Sequence, residues 1–173
     1  PILPAAIKEN ETIEIKLKAL DPDGDQVTVN AETLPNGALL KSNIFSWKPD
    51  FLAVNNGSEI FTVSLEADDG RLSAKREFNI TVSDVNRAPE IKAIKPSART
   101  TAVAGQPVIF QIDAIDPDGD QLTYLWGLGL FESYSASDRL KRTFTSLGEK
   151  EISVTVSDGE FSAGREWQIK VVQ

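Results

Sequence analysis

The sequence contains no cysteine, no histidine and no methionine, and it has only two tyrosines. Without cysteine, no disulfide stabilises the fold, and neither a thiolate metal site nor a cysteine nucleophile can form. Without histidine, the commonest general base and a frequent zinc ligand are missing as well. Acidic pairs can support glycoside hydrolysis, but the clustered aspartates of this chain fall in predicted turns, not across a cleft. The composition therefore favours a non-enzymatic protein.

A long hydrophobic run and a basic region are also lacking. No apolar run approaches the roughly 20 residues needed to cross a bilayer, so we expect no membrane insertion of this segment. The formal net charge is −8, and a chain without a basic face is not expected to bind nucleic acid. The chain starts without methionine or a signal sequence, which predicts a mature piece or a fragment of a longer protein.

One five-residue sequence, Asp-Pro-Asp-Gly-Asp, is present twice, at residues 21–25 and 116–120. A second pair of landmarks, Asp69-Gly70 and Asp158-Gly159, has nearly the same spacing. A repeat of about 90 residues is too long for a solenoid unit and suits a small β-domain. The sequence therefore predicts two domains, residues 1–86 and 87–173, joined by a short linker that ends at Pro89.

In both halves, apolar and polar residues alternate over short runs, which is the pattern of half-buried strands. No window of useful length has helical spacing, so the pattern predicts two β-sandwiches. The three tryptophans, Trp47, Trp126 and Trp167, fall in phase with the apolar residues of their runs. We therefore expect all three in the cores. The main runs are Ile13/Ile15/Leu17, Phe61/Val63/Leu65, Phe78/Ile80/Val82, Val108/Phe110/Ile112, Leu122/Tyr124/Trp126, Ile152/Val154/Val156 and Trp167/Ile169/Val171.

Several short motifs follow one another in a characteristic order. In the first half they are Ala19-Leu20-Asp21-Pro22-Asp23, Phe45-Ser46-Trp47-Lys48-Pro49, Ala67-Asp68-Asp69-Gly70 and Asp84-Val85-Asn86; in the second, they are residues 116–126 and Val156-Ser157-Asp158-Gly159. By these motifs, the first half resembles bacterial and archaeal cadherin-like repeats of the dystroglycan type, and the second half resembles a polycystic-kidney-disease (PKD) domain. The resemblance implies an all-β fold of two tandem immunoglobulin-like β-sandwich domains.

Each Asp-Pro-Asp-Gly sequence is first of all a turn, because aspartate caps the backbone, proline presets φ and glycine accepts the last conformation. Carboxylates two residues apart on a tight turn can also converge on calcium. The cadherin resemblance implies such a site at the linker. Its ligands would be Asp84, Asn86, Asp116, Asp118 and Asp158.

The linker departs from the cadherin pattern, because Arg87 places a cation where that family has ligands. A second, incomplete calcium site is implied in the first domain, at Glu9, Asp21, Asp23 and Asp69. An EF-hand is excluded, because Gln26 replaces its required glycine and both flanks are predicted strands.

The stretch from Gly127 to Ser137 breaks the alternation and carries Phe131 and Tyr134 among small residues. Local packing of an irregular edge is the interpretation we favour. The alternative is a ligand-facing loop, because rigid aromatic side chains among serine and glycine suit adaptable recognition.

These features predict a non-enzymatic, extracellular pair of modules from a larger cell-surface or secreted protein. It would act as a spacer or adhesion element, stiffened by calcium, with neighbouring domains of the same polypeptide and cell-surface proteins or glycans as partners. The alternative is an accessory carbohydrate-binding pair of a secreted enzyme, with Phe131 and Tyr134 as its surface. A filament subunit that assembles through sheet edges is a third hypothesis.

Overall fold

The computed structural model describes residues 5–128, 131–135 and 137–173, and for residues 131–135 it describes the backbone alone. In this part of the chain, every regular element is a β-strand. No helix among these residues is long and apolar enough to cross a membrane. The chain divides into two compact units, Pro1–Val85 and Asn86–Gln173. The boundary lies one residue earlier than the predicted one, and the Asn86 side chain hydrogen-bonds within the second unit.

The first unit consists of two sheets. One has the strand order β1-β7-β6-β3 and the other has the order β2-β5-β4. The pairing of β1 with β7 is parallel, and the remaining pairs are antiparallel. The strands are β1 (Ala5–Lys8), β2 (Ile13–Lys16), β3 (Thr28–Thr33), β4 (Leu39–Lys41), β5 (Ile44–Trp47), β6 (Ser58–Asp68) and β7 (Ser73–Ser83).

The second unit repeats this plan with a larger sheet. Its sheets have the strand orders β12-β11-β14-β15-β9 and β13-β10-β8. Here β9 pairs with β15 in parallel, as β1 does with β7 in the first unit. The strands are β8 (Glu90–Lys95), β9 (Arg99–Val103), β10 (Pro107–Ile115), β11 (Thr123–Leu128), β12 (Phe131–Ser135), β13 (Arg139–Thr143), β14 (Gly148–Ser157) and β15 (Ser162–Val172).

Each unit has its own hydrophobic core between its two sheets. The alternation of the sequence accounts for both cores, because successive strand residues point to opposite faces. The predicted burial of the three tryptophans is confirmed: Trp47, Trp126 and Trp167 are at most 2% exposed. Each indole N–H also finds a backbone acceptor, on Asn36, Ser137 and Pro96 respectively.

The stretch after Trp126 agrees with the first of its two interpretations, packing at the edge of a sheet, and not with a loop. Strand β11 continues to Leu128, and residues 131–135 form strand β12 antiparallel to it. The register runs from Leu128 opposite Phe131 to Tyr124 opposite Ser135. Glycine, present in this stretch at Gly127, has low strand propensity, but phenylalanine and tyrosine favour strands, and pairing with β11 supplies the backbone hydrogen bonds. Residues 131–135 are therefore an edge strand and not a loop.

Candidate functional site

Both Asp-Pro-Asp-Gly-Asp sequences form the same turn, as predicted. In the first, Asp21 Oδ1 accepts hydrogen bonds from the backbone N–H groups of Asp23, at 2.8 Å, and Asp25, at 3.1 Å. The Gly24 N–H donates to the Asp21 carbonyl at 3.3 Å. Gly24 has φ of +89°, which glycine adopts at little cost. The aspartate that begins the motif therefore closes the turn.

The second copy follows strand β10 directly and reproduces this geometry. Asp116 Oδ1 accepts from the N–H groups of Asp118 at 2.8 Å and Asp120 at 3.3 Å. The Gly119 N–H donates to the Asp116 carbonyl at 3.3 Å, and φ of Gly119 is +84°. The two turns are thus equivalent elements of a duplicated unit.

The two Asp-Gly turns are also equivalent. Asp69 joins β6 to β7, and its Oδ1 accepts from the N–H groups of Arg71 and Leu72, each at 2.7 Å. Asp158 joins β14 to β15, and its Oδ1 accepts from the N–H groups of Glu160 at 2.7 Å and Phe161 at 2.6 Å. One oxygen of each carboxylate is therefore committed to its turn.

These hydrogen bonds change the acidity of both aspartates. Donation from the Leu72 and Arg71 amides lowers the pKa of Asp69. Burial alone would raise the pKa of Asp158, but the Phe161 and Glu160 amides and the Asn86 side chain outweigh burial and lower it. A carboxylate that accepts hydrogen bonds is favoured in its charged form.

In the second unit, the acidic turn holds an arginine. The Arg87 Nε and Nη2 atoms donate to Asp118 Oδ1 at 2.8 and 2.6 Å, and the Arg87 backbone N–H donates to Asp118 Oδ2 at 2.7 Å. Arg87 Nη2 also donates to the Pro117 carbonyl at 2.7 Å. The Asp118 side chain is 12% exposed. Both of its oxygens are thus engaged by one residue through charge-assisted bonds.

The neighbouring Asn86 is held by the other turn of this unit. Its Nδ2 group donates to Asp158 Oδ2 at 3.3 Å and lies 3.4 Å from Glu160 Oε2. Two oxygens are buried without a hydrogen-bond partner among the described residues, Asn86 Oδ1 and Asp116 Oδ2. Buried oxygens of this kind are uncommon and call for an explanation.

The carboxylates around Arg87 and Asn86 form the acidic cluster of the second unit, and their charges repel one another. The cluster consists of Asp116, Asp118, Asp120, Asp158 and Glu160. Desolvation of its carboxylate raises the pKa of Asp120, and the charges of Asp116, Asp118 and Asp158 raise it further. Repulsion between like charges therefore persists in spite of Arg87.

In the first unit, Glu9 has a structural role that the sequence did not reveal. The residue is 3% exposed. Its Oε1 accepts from the Val54 N–H at 2.8 Å, and its Oε2 accepts from the Val85 N–H at 3.1 Å. The next linker group towards the N-terminus is also bound, because the Asp84 N–H donates to the Gly57 carbonyl at 3.0 Å. Glu9 thus connects the start of the first unit to Val54 and to Val85, the last residue of the unit.

The structure brings together four of the five residues of the predicted linker site: Asn86, Asp116, Asp118 and Asp158 all belong to the second unit. Asp84 belongs to the first unit. Asp118 is engaged by Arg87 in place of a metal. Within the described residues, no group of three or more acidic side chains has the arrangement of a metal site.

The residues of the predicted first-domain site do not lie together. Asp21 and Asp69 line one cleft, and Asp23 lies in the turn beside it. Glu9 is bound at the opposite end of β7, since its N–H donates to Ser83 while Asp69 lies before Ser73. An eleven-residue strand separates these ends by on the order of 30 Å. Glu9 therefore cannot share a metal ion with the three aspartates.

The aromatic pair Phe131 and Tyr134 lies in strand β12, opposite Leu128 and Leu125 in the register. Their side chains lie outside the described part of the structure, so ligand binding by this pair stays a prediction. Sequence reasoning missed two further contributors to the acidic cluster, Arg87 as a bound cation and Glu160 as an acceptor. For Arg87, the available signal was a basic residue in a linker that the family resemblance already placed near the acidic turn.

The fold defines the class of this protein: each unit is an immunoglobulin-like β-sandwich. The family model of the PKD domain matches residues 93–171, which lie in the second unit. The match does not extend to the first unit, whose cadherin-like character stays a prediction. No curated protein matches the chain.

Several solved structures are similar over the whole chain. An endo-fucoidan hydrolase of glycoside hydrolase family 107 is 21% identical, with 99% of this chain and 28% of that chain covered and a TM-score of 0.43. A chimeric titin Z1Z2 tandem is 10% identical, with 98% and 95% covered and a TM-score of 0.44. The N-terminal four immunoglobulin domains of Dscam1 are 11% identical, with 96% and 43% covered and a TM-score of 0.47. This chain thus spans about a quarter of the hydrolase.

Proposed function

We propose that this chain is a non-enzymatic, extracellular pair of modules in a larger cell-surface or secreted protein. Its role is to space and orient neighbouring domains of the same polypeptide, with adhesion to surface proteins or glycans as a further use. The PKD match of the second unit supports an extracellular, non-catalytic role.

The anchoring of the segment between the units carries this proposal. Val85 is the last residue of the first unit, and Glu9 holds its N–H. Asn86 is the first residue of the second unit, and Asp158 and Glu160 accept its side-chain amide, while Asp118 holds Arg87. Val85 and Asn86 are adjacent, so no unanchored residue lies between the two units. Long flexible tethers behave as random coils, whereas a connection without such a tether suits a spacer.

Amide relaxation by NMR tests the spacer role. If the units tumble together, both show the rotational correlation time of a protein of 18.9 kDa. The Arg87→Gln variant should lower the correlation time of both units, because it removes the charge-assisted bonds to Asp118. Lys92→Gln, which removes an exposed cation from strand β8, is the matched control. Two short, independent correlation times in the unaltered chain would contradict the proposal.

Calcium is the cation we propose for the acidic cluster of the second unit. The donor set fits in part: Asn86 Oδ1 and Asp116 Oδ2 are buried oxygens without partners, and calcium prefers oxygen ligands. Asp158 would add a third ligand. Asp118 does not fit while Arg87 holds both of its oxygens. The predicted ligand Asp84 belongs to the first unit and stays a prediction.

Thermal unfolding in EDTA and in calcium, at matched ionic strength, tests this site. With Kd on the order of 0.1 mM, ~10 mM calcium stabilises the second unit by about 2.7 kcal/mol, a Tm rise of roughly 10 °C or more. Asp116→Asn should abolish the shift and keep the turn, since asparagine also caps turns. Arg87→Gln should enlarge the shift by releasing Asp118. Coincident melting curves of the unaltered chain would contradict calcium binding.

A further inference from the structure

The first unit contains three copies of Asn-X-Ser/Thr, the sequence that accepts N-linked glycans in secreted proteins. The copies are Asn10-Glu11-Thr12, Asn56-Gly57-Ser58 and Asn79-Ile80-Thr81. None of them has proline at the middle position, which would exclude the modification. The second unit has no copy, because its single asparagine is followed by arginine and alanine. Any N-linked glycan of this chain therefore lies on the first unit.

Two of the three asparagines lie in surface turns. Asn10 follows strand β1 and Asn56 precedes strand β6. Both residues are exposed, and their φ angles are 60° and 69°. Among the residues that the structure describes, neither carboxamide takes part in a hydrogen bond. The side-chain nitrogen of each is therefore open to reaction in the folded chain.

The fold explains these asparagines but not the hydroxyl groups that follow them. Asparagine tolerates the left-handed φ region better than most residues. Asn43 is a third exposed asparagine in this region, with φ of 61°, and Phe45 follows it in place of a hydroxyl residue. Thr12 and Ser58 are exposed, and in the described part of the chain their hydroxyl groups form no hydrogen bond. The turn alone thus does not require the acceptor sequence.

The third copy has a different setting. Asn79 lies within strand β7, directly opposite Thr62 of strand β6. Its Oδ1 atom accepts a hydrogen bond from the Thr62 hydroxyl at 3.0 Å. Asn79 can enter the active site of an enzyme only if β7 leaves its ladder of backbone hydrogen bonds. The two turn residues are therefore the accessible acceptors of the folded unit.

These two turns lie at the same end of the sheet. Lys8 of β1 and Ser58 of β6 both pair with Ser83, the last residue of β7. Adjacent strands lie about 4.8 Å apart, so Lys8 and Ser58 flank Ser83 at a separation of about 10 Å. Asn10 comes two residues after Lys8, and Asn56 comes two residues before Ser58. Both asparagines thus lie beside the point at which the chain leaves β7.

We propose that Asn10 and Asn56 carry N-linked glycans, one on each side of this end of the first unit. The donor is an oligosaccharide on a lipid pyrophosphate, and the catalyst is a membrane-bound oligosaccharyltransferase. The carboxamide nitrogen bonds to the anomeric carbon of the sugar and loses a proton, while the bond from that carbon to the pyrophosphate breaks and the lipid pyrophosphate leaves. N-linked glycans are bulky and hydrated, so they hinder the approach of other macromolecules to the segment that follows β7. This inference rests on the proposed extracellular role.

Mass spectrometry of glycopeptides from the protein, isolated from the cells that produce it, tests the modification. Peptides with Asn10 and with Asn56 should carry a hexose- or hexosamine-containing mass, and the peptide with Asn43 is the unmodified control. A chain found outside the cytoplasm with both asparagines unmodified would overturn this inference and leave the proposed function standing. A chain found unmodified in the cytoplasm would overturn both.

Transfer to the purified, folded full chain tests the choice of sites. The probes are a purified oligosaccharyltransferase and a polyprenyl-pyrophosphate oligosaccharide. Thr12→Ala should abolish modification of Asn10 and leave that of Asn56, and Ser58→Ala should do the reverse. Thr12→Ser and Ser58→Thr, which keep the hydroxyl, should preserve both.

Thermal unfolding shows whether these variants are folded, and each should melt as the unaltered chain does because neither hydroxyl supports the fold. Modification that persists at Asn10 in Thr12→Ala, or at Asn56 in Ser58→Ala, would overturn the proposal. Modification of Asn79 to the same extent as the two turn residues would also overturn it, as would a folded chain that accepts no glycan at either turn.

Discussion

At the residue scale, Glu9 shows how a buried carboxylate gains stability from the backbone. It is enclosed in the first unit and accepts one N–H with each oxygen. Burying a charge without partners costs several kcal/mol, so the two N–H donors are what make this position tolerable for glutamate. Glu9 therefore has a structural role, which is to bind the backbone at Val54 and Val85, and is not a surface charge.

Replacement of Glu9 by glutamine should destabilise the first unit by about 1–3 kcal/mol. The glutamine amide has one acceptor and one donor group, so either the Val54 or the Val85 N–H then faces another donor. Chemical denaturation followed by the signals of the first unit measures the loss. Glu14→Gln, at an exposed position of β2, is the control. A loss as small as that of the control would contradict the structural role.

Trp126 is a large buried side chain of the second core, and its contribution to stability can be measured in the same way. Its ring stacks on Trp167, with centroids 5.7 Å apart, and is 1% exposed. Trp126→Ala should therefore cost about 3–5 kcal/mol of unfolding free energy, as large core truncations do. Denaturant unfolding of the full chain measures the cost, and Leu147→Ala, at a site that is 52% exposed, controls for the substitution. A cost under about 1 kcal/mol would contradict the core position.

At the element scale, the repeated acidic turn is one structure in two environments. Its internal hydrogen bonds are the same in both units, but only the second copy holds a described arginine. Glycine at the fourth position is required in both, since φ is near +85° there. The turn therefore forms whether or not it binds an arginine. Substitutions can accordingly change the binding of the arginine without changing the turn.

Asp120→Asn should stabilise the second unit at neutral pH. Desolvation and the neighbouring carboxylates raise the pKa of Asp120. A group whose pKa is raised by folding contributes stability at low pH and loses that contribution as the pH rises through the folded pKa. Its ionised form is thus unfavourable at pH 7, and asparagine removes the charge.

Thermal melts of both forms from pH 3 to pH 7 measure this effect. The gain in Tm should vanish at pH values at which the Asp120 carboxylate is protonated. It should also shrink at high salt, because salt screens exposed charges. Asp25→Asn, at the equivalent position of the first unit, is the control. A gain that does not change with pH would show that charge is not the cause.

At the scale of the whole molecule, the chain is two units with separate cores joined by an anchored connection. Each core contains its own buried aromatic pair, Phe45 with Phe78 in the first and Trp126 with Trp167 in the second. Units of about 85 residues are large enough to fold alone. Separation of the chain is therefore a direct test of this organisation.

Residues 1–85 and 86–173, produced separately, should each give the dispersed amide NMR spectrum of a folded all-β domain. The reason is that neither core borrows buried residues from the other unit. The spectrum of the intact chain is the reference. A disordered spectrum for either half, with the intact chain folded, would show that the units depend on each other.

The sequence by itself determined the local structure of this protein. The acidic turns follow from hydrogen bonds between residues two to four positions apart, and the strands with their tryptophans follow from alternation. Strand β12 could not be predicted, because its glycine- and serine-rich surroundings lack the pattern and pairing with β11 decides its conformation.

Only the tertiary structure decided the roles of Glu9 and Arg87. The Glu9 carboxylate meets an N–H group 76 residues away, and Arg87 meets Asp118 across 31 residues. Sequence reasoning identified Asn86, Asp116, Asp118 and Asp158 as neighbours but took Arg87 as an obstacle to a metal ion. An oxygen is available to a ligand only where no hydrogen-bond donor from a distant part of the chain already occupies it. Packing decides which donors lie near it, and spacing along the chain does not.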